Sequence, residues 1–97
     1  MSKTIQELQN LMVDQLKRRG FYPKDEYEAL LRIGEEVGEL YEAVREEQDQ
    51  KNIAFEAIDI LWNLLRFCEF KKIDVERTFL EKLAYNETRE LSSDKNS

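Results

Sequence analysis

The chain of 97 residues contains no histidine, one cysteine, one proline and three glycines. Without histidine it lacks the imidazole ligands usual for zinc and the Glu-x-x-His pairs of di-iron bundles. A single cysteine excludes an internal disulfide, and the position of Cys68 in the apolar run LLRFCEF predicts a buried, unreactive thiol. With so few prolines and glycines, the composition favours a compact helical protein.

The chain also lacks a basic cluster and a long hydrophobic run. Its net charge of −6 disfavours binding to nucleic acid or to an anionic membrane. No apolar stretch approaches the roughly 20 residues that a membrane span needs. The N-terminal sequence MSKTIQELQ lacks the apolar segment of a secretory signal. We therefore expect a cytoplasmic, soluble protein that binds neither nucleic acid nor membranes.

Apolar residues recur at helical spacing, and the alternation typical of strands is absent. The pattern predicts one all-α domain over residues 1–97, a four-helix bundle with short antiparallel connections and a polar tail from about residue 92. Asp74 is a plausible N-cap of the last helix. The predicted helices cover about residues 4–19, 24–47, 53–71 and 74–91. The apolar residues assigned to the core of the first, second and fourth helices are Ile5, Leu8, Leu11, Met12 and Leu16; Leu30, Ile33, Val37, Leu40, Tyr41 and Val44; and Val75, Phe79, Leu80 and Leu83.

The third helix is apolar around most of its circumference and carries one narrow polar slot. Glu56, Asp59, Asn63 and Arg66 fill this slot, within about 80° of arc at about 100° per residue. A helix that is apolar on most sides is a buried helix, and a buried carboxylate pair is costly unless a cation compensates it. A structural ion pair between Asp59 and Arg66 is the alternative, but it leaves Glu56 unexplained.

A second acidic group lies one helix earlier, in the run EEVGEL. If the apolar face is centred near Val37 and Val44, Glu36 lies about 90° from that centre, Glu39 about 60° further round, and Glu35 furthest outward. Carboxylates on two consecutive helices, without a soft ligand and without the loop of an EF-hand, favour Mg²⁺ or Mn²⁺. A hard divalent ion in turn suggests phosphate chemistry.

These two acidic groups resemble a family signature. EEVGE at residues 35–39 and EAID at residues 56–59 resemble the EExxE…ExxD pattern of the MazG-like nucleotide pyrophosphohydrolases, of the all-α NTP pyrophosphatase superfamily. The resemblance covers roughly residues 30–89. It implies Mg²⁺-dependent hydrolysis of a (deoxy)nucleoside triphosphate to the monophosphate and pyrophosphate, by a homodimer or homotetramer with sites near subunit contacts. The metal ligands that the resemblance implies are Glu36, Glu39, Glu56 and Asp59.

The fourth helix adds Lys82, Asn86 and Arg89 on one face, which resembles the K…N..R pattern of many family members. That pattern implies contacts with the polyphosphate and the sugar, and an ordinary solvated stripe is the alternative. Because histidine is absent, the base must be a carboxylate, a metal-bound hydroxide or both, and Glu35 is the candidate that positions the water. Asn63 and Trp62 are further candidates for substrate binding. The aromatic residues that could stack on the nucleobase are Trp62, Phe21, Tyr22 and Phe55.

Two other interpretations remain open. The chain could be a non-enzymatic helical module that dimerises or binds a partner protein, with its acids as a solvated face. It could also be an enzyme of the phosphoribosyl-ATP pyrophosphohydrolase type. In each case, the apolar residues on several faces of the third helix exceed what one small core needs, which predicts association into a dimer or tetramer.

Overall fold

The computed structural model of this chain describes residues 2–89, and all regular structure in that range is helical. The all-α class and the count of four helices are confirmed for this part of the chain. The predicted end of the last helix near Leu91 and the polar tail lie outside the described residues. No helix within residues 2–89 is long and apolar enough to cross a membrane. The helices are α1 (Ile5–Arg18), α2 (Glu26–Arg45), α3 (Gln50–Phe70) and α4 (Val75–Thr88).

Each helix starts at a residue whose side chain accepts a hydrogen bond from the backbone three positions later. Thr4 forms a capping box with Glu7, and the Asp49 carboxylate accepts a 2.8 Å bond from the Asn52 N–H. Because Asp49 caps it, α3 begins at Gln50 rather than near Ile53, so part of the predicted polar loop is helical. The prediction that Asp74 caps α4 is confirmed by a 3.1 Å bond from the Arg77 N–H. Asp25 caps α2 in the same way.

Two residues after the end of each of the first three helices, one residue has a positive φ. The backbone N–H of the next residue then donates a hydrogen bond to a carbonyl in the last turn of the helix. Gly20 (φ 71°), Glu47 (φ 55°) and Lys72 (φ 57°) hold these left-handed positions. The closing N–H···O bonds run from Phe21 to Leu16 (2.9 Å), from Gln48 to Ala43 (3.0 Å) and from Ile73 to Cys68 (2.9 Å). This arrangement is the Schellman motif, in which glycine is the usual left-handed residue. It keeps the connections short and turns α3 back along α2.

Helices α2 and α3 form the main packed pair, an antiparallel hairpin whose seam carries the candidate site. On the α2 side the seam is made by Ala29 and Ala43, which are both fully buried and allow close approach of the two backbones. A separate small core lies between α1 and α3, where Gln9 also donates a 2.9 Å bond to the Leu65 carbonyl. That core consists of Met12, Val13, Leu16 and Leu65, with Ile5, Tyr22, Trp62 and Val75 packed around it.

Several predictions of buried apolar faces are wrong for the single chain. Val37 and Val44, the predicted centre of the buried face of α2, are 50% and 54% exposed, because α2 instead turns its alanines and Glu36 toward α3. On α4, Phe79 and Leu80 are 65% and 60% exposed. Other predicted core residues that are exposed are Leu8, Leu11, Leu30, Tyr41 and Leu83. The third helix, predicted to be buried on most sides, likewise leaves Ile58, Leu61 and Leu64 exposed. Apolar periodicity thus marks these faces without showing that the same chain covers them.

The molecule is correspondingly open. Its accessible surface is 7828 Å², whereas a folded monomer of 11.6 kDa is expected to expose about 5,800 Å². Its radius of gyration is 15.8 Å, against about 13 Å for a compact chain of this length. Large apolar side chains on all four helices contribute to this exposed surface, among them Leu11, Tyr41, Phe55 and Phe79.

Candidate metal centre

Three carboxylates from two helices converge on the seam between α2 and α3. Glu36 of α2 lies opposite Glu56 and Asp59 of α3, and one oxygen of each lies within 4.8 Å of the other two. The sequence dictates this convergence in part, because Glu56 and Asp59 are three residues apart and so share one helix face. Among the described residues, no cation forms an ion pair with any of the three. Glu36 is buried, Glu56 is half-buried and Asp59 is exposed, so the prediction that Glu56 and Asp59 form a buried pair is wrong for the single chain, and burial falls on Glu36 instead.

Glu36 is the member of the cluster for which burial costs most. It is only 9% exposed, and its Oε2 is buried with no hydrogen-bond partner. Burial raises the pKa of Glu36, and the nearby charges of Glu39, Asp59 and Glu56 raise it further, while Arg32 opposes the shift. An oxygen in this position needs either a proton or a cation. Three hard carboxylate donors on an unpartnered, crowded site fit Mg²⁺ or Mn²⁺.

The structure places the other two acids of the predicted site at its edge. Glu39 is exposed and lies outside the three-carboxylate group, although its charge acts on Glu36. Glu35 is also exposed, in agreement with its predicted outward position. Both are on α2, within one turn of Glu36.

The alternative ion pair between Asp59 and Arg66 does not form in the described residues. Arg66 is 8% exposed, its Nε is buried without a hydrogen-bond partner, and no carboxylate lies within 4.0 Å of its charge. The pKa of Arg66 is lowered, first by burial and then by the neighbouring positive charge of Arg32. Tyr22, Asp59 and Glu36 oppose this shift. Arg66 therefore interacts electrostatically with Asp59 and Glu36 without forming an ion pair with either.

A cleft of about 470 Å³ opens beside Asp59, the one member of the acidic cluster that lines it, and its other walls carry arginine and aromatic side chains. The loop after α1 forms one side of it. Tyr22 holds that loop by donating a hydrogen bond to Glu69 and packing against Phe70, and burial and Glu69 raise the pKa of Tyr22. The residues lining the cleft are Leu16, Gly20, Phe21, Tyr22, Pro23, Glu28, Arg32, Asp59, Trp62 and Arg66.

Two predicted substrate-binding residues of α3 differ in their access to this cleft. Trp62 is half-buried and lines it, while also packing on the core between α1 and α3. Asn63 is 2% exposed and does not line it. Its Nδ2 donates a 2.9 Å bond to the backbone carbonyl of Asp59, and its Oδ1 is buried without a partner. Asn63 is therefore placed to support the turn of α3 that carries Asp59.

The predicted basic face of α4 lies elsewhere in the chain. Lys82 and Asn86 line a different cavity, between α4 and the end of α3, together with the half-buried Cys68, whose pKa is raised by burial. The Lys82 ammonium and the Arg89 guanidinium lie 5.0 Å and 4.9 Å from the centre of the Tyr85 ring. Within residues 2–89, α4 packs mainly on α1, whereas the main partner of α2 is α3. Within one chain, Lys82 and Asn86 are thus not part of the cleft at Asp59.

Sequence reasoning overlooked Arg32. It lies four residues before Glu36, so both side chains share one face of α2, and it lines the cleft with Arg66. The spacing was visible in the sequence, but Arg32 could be placed near Arg66 only by knowing how α2 and α3 align.

The MazG nucleotide pyrophosphohydrolase domain family matches residues 25–91, about two thirds of the chain. The chain belongs to this family. No curated protein and no solved structure gives a significant match. The family, whose members generally depend on a divalent metal, acts on nucleotides, and the acidic cluster of this chain lies inside the matched region. Membership therefore supports a pyrophosphohydrolase in general terms.

Proposed function

We propose that this protein is a cytoplasmic enzyme that hydrolyses a (deoxy)nucleoside triphosphate to the nucleoside monophosphate and pyrophosphate, with Mg²⁺ as cofactor. The observation that carries the proposal is the convergence of Glu36, Glu56 and Asp59 within 4.8 Å, around a buried Glu36 oxygen without a partner. A solvated acidic face would have no reason to bury one of its members. The family match, which covers both acidic motifs, supports the same activity.

The proposed metal ligands are Glu36, Glu56 and Asp59, with Glu39 at the edge of the cluster as the fourth. A bound Mg²⁺ would supply charge neutralisation at the phosphate oxygens and assist departure of pyrophosphate. The protein's own contribution is to hold these carboxylates on two packed helices, so that little reorganisation is needed when substrate binds. Glu35, exposed beside Glu36, is proposed to orient the attacking water and accept its proton.

The cleft beside Asp59 is the proposed nucleotide site. Trp62 and Phe21 both line it, and either ring offers an apolar face on which a nucleobase can stack. Tyr22 lines it as well, whereas Phe55 is exposed on α3 and lines a separate cavity with residues of the loop before α3. Lys82, Asn86 and Arg89 are proposed to contact the phosphates and the sugar. Asn63 supports the turn that carries Asp59.

The direct test is product analysis with a panel of normal and modified (d)NTPs. We expect pyrophosphate as the first product from at least one of them, with turnover that requires Mg²⁺ or Mn²⁺ and stops in EDTA. Orthophosphate as the first product would contradict attack at the α-phosphorus. Turnover of phosphoribosyl-ATP alone would identify the related enzyme class, and an inert protein across the whole panel would favour the non-enzymatic module.

We further propose that the active form is a homodimer or homotetramer. Leu30, Val37, Tyr41 and Val44 recur at helical spacing along α2, and all four are between 45% and 70% exposed. A stripe of this kind, on a chain whose surface is about a third larger than expected for its mass, is typical of a subunit interface. Light scattering at micromolar concentration should give at least twice the 11.6 kDa chain mass. A monomeric mass would refute the proposal.

A further inference from the structure

Charge changes sign along the seam between α2 and α3. On α2, Arg32 lies one turn, about 6 Å, before Glu36, and on α3, Arg66 lies two turns, about 10 Å, after Asp59. Because the two helices are antiparallel, these opposite steps in sequence lead to the same end of the seam. Both arginines line the cleft together with Asp59, so one open cavity holds one carboxylate of the cluster and two cations.

These two arginines differ from others in the chain. Arg18, Arg45 and Arg77 lie on exposed helix surfaces, and each has a carboxylate one helical turn away within 4.0 Å. In the part of the chain that is described, neither Arg32 nor Arg66 has such a partner. Arg66 is also more than nine-tenths buried and leaves its Nε without an acceptor. A buried guanidinium next to a second cation is costly unless an anion is bound there.

The carboxylates of the cluster are the alternative source of compensation. Asp59 and Glu36 do act on Arg66 through space, as does Arg32 on Glu36. However, a divalent cation held by Glu36, Glu56 and Asp59 would use two of their three negative charges, which leaves one charge for two guanidinium groups. Glu28 also lines the cleft, where its carboxylate accepts a 2.8 Å bond from the Lys24 N–H and forms no ion pair with either arginine. With the metal bound, the two guanidinium groups would face the cleft without an ion-pair partner among the described residues, which suits an anion such as a phosphate.

We propose that Arg32 and Arg66 form an anion subsite that binds the terminal two phosphates of the nucleotide and retains them as pyrophosphate after cleavage. This inference rests on the proposed function. The pyrophosphate end carries most of the negative charge of a nucleoside triphosphate, and a pair of adjacent guanidinium groups suits it better than the singly esterified α-phosphate. The subsite would hold the leaving group and leave the acidic cluster to the reacting phosphorus.

The test measures binding of inorganic pyrophosphate, in the presence of Mg²⁺, to the full-length wild-type protein and to Arg32→Gln and Arg66→Gln. Calorimetry gives the dissociation constant without requiring turnover. We expect each variant to bind pyrophosphate at least about tenfold more weakly, as loss of a charge-assisted hydrogen bond predicts, while binding of the nucleoside monophosphate changes less than twofold. Arg45→Gln is the matched control, because Arg45 is exposed on the same helix and faces Glu42, and it should bind both ligands like wild type.

Arg32 is exposed, so its variant should fold even if the buried Arg66 position does not tolerate glutamine. Unchanged pyrophosphate binding in Arg32→Gln, or weakened monophosphate binding with normal pyrophosphate binding, would overturn the proposal. If the wild-type protein turns over a nucleotide while the arginine variants bind pyrophosphate normally, the subsite fails and the proposed function stands. If the wild type is inactive on every nucleotide but binds pyrophosphate through both arginines, the proposed function fails and the anion subsite stands.

Discussion

Asp59 is the side chain for which a metal ligand and a structural ion pair make opposite predictions. The structure gives it two carboxylate neighbours and no bonded cation among the described residues. Crowded carboxylates repel one another when no metal is bound, so removing one charge should relieve strain on the folded state. An ion pair buried in the seam would behave in the opposite way, because breaking it leaves an uncompensated charge.

We therefore expect Asp59→Asn to lower turnover by at least about a hundredfold, since even residues that only support metal ligands contribute 10- to 100-fold. In EDTA the variant should melt no lower than wild type, and its gain in melting temperature on adding Mg²⁺ should shrink, because that gain follows metal affinity. A loss of about 3–5 kcal/mol in EDTA would instead indicate a structural pair. Glu42→Gln is the control, because Glu42 is exposed and faces only Arg45, and it should change neither measurement.

Glu36 should make the metal-free protein sensitive to pH. Its pKa is raised in the folded state, by burial first and then by Glu39, Asp59 and Glu56. The folded state is therefore penalised above that raised pKa, where Glu36 is charged, and the penalty disappears as the pH falls below the ordinary pKa of glutamate. In EDTA at neutral pH, Glu36→Gln should have the higher free energy of unfolding, and the difference should vanish toward pH 4. Denaturant titrations across this range measure it, and a difference that does not vary with pH would contradict the assignment.

After the ends of α2 and α3, two residues other than glycine adopt a backbone conformation that costs conformational free energy. Glu47 and Lys72 hold left-handed conformations that a side chain adopts at a cost of about 1 kcal/mol and that glycine adopts freely. Glu47→Gly should raise the free energy of unfolding by about 0.5–1 kcal/mol. Glu46→Gly, one residue earlier at φ −88°, should not stabilise the protein. Urea titrations at one protein concentration give both values, and equal effects of the two glycines would contradict the backbone explanation.

Local signals were sufficient to predict the number of helices and the convergence of Glu36, Glu56 and Asp59, whereas Glu39, predicted with them, lies outside the group. The positions of Glu56 and Asp59 follow from helical spacing alone, and their meeting with Glu36 follows from placing two acidic motifs on an antiparallel hairpin. The start of α3 was missed, because Asp49 was assigned to a polar loop although it can cap a helix. The position of Arg32 and Arg66 in one cleft could not be predicted. It depends on which residues of α2 lie opposite which residues of α3.

At the scale of the whole molecule, the main difference from the sequence-based expectation is that several apolar helix faces are exposed. The same periodicity that correctly marked Met12 and Leu16 as core also marked Val37 and Phe79, which the single chain leaves exposed. Hydrophobic spacing shows that one face of a helix is apolar. It does not show which other helix, of the same chain or of another subunit, packs against that face. On α2 the fully buried apolar residues are instead Ala29 and Ala43, small side chains that permit two helices to pack closely.

The basic face of α4 is the part of the predicted site that the single chain does not bring to the cleft at Asp59. Lys82 and Asn86 line a cavity separate from the cleft at Asp59, and within residues 2–89 α4 packs mainly on α1. If Lys82 contacts substrate as proposed, we predict that it does so at the acidic centre of the partner subunit. Each active site would then combine Asp59 from one chain with Lys82 from the other.

Subunit mixing tests this prediction. Asp59→Asn and Lys82→Ala should each be nearly inactive alone, and co-expressing them should restore activity. In a mixed dimer, one of the two sites would combine the intact Asp59 of one chain with the intact Lys82 of the other. Random pairing makes half of the dimers mixed, so recovery should approach about a quarter of wild-type activity. If Lys82 instead contacts substrate at the acidic centre of its own chain, every site in the mixture contains one substituted residue, and activity should not return. Mixing Asp59→Asn with Glu56→Gln is the control, because both residues lie in one cluster of one chain and no pairing can restore a site.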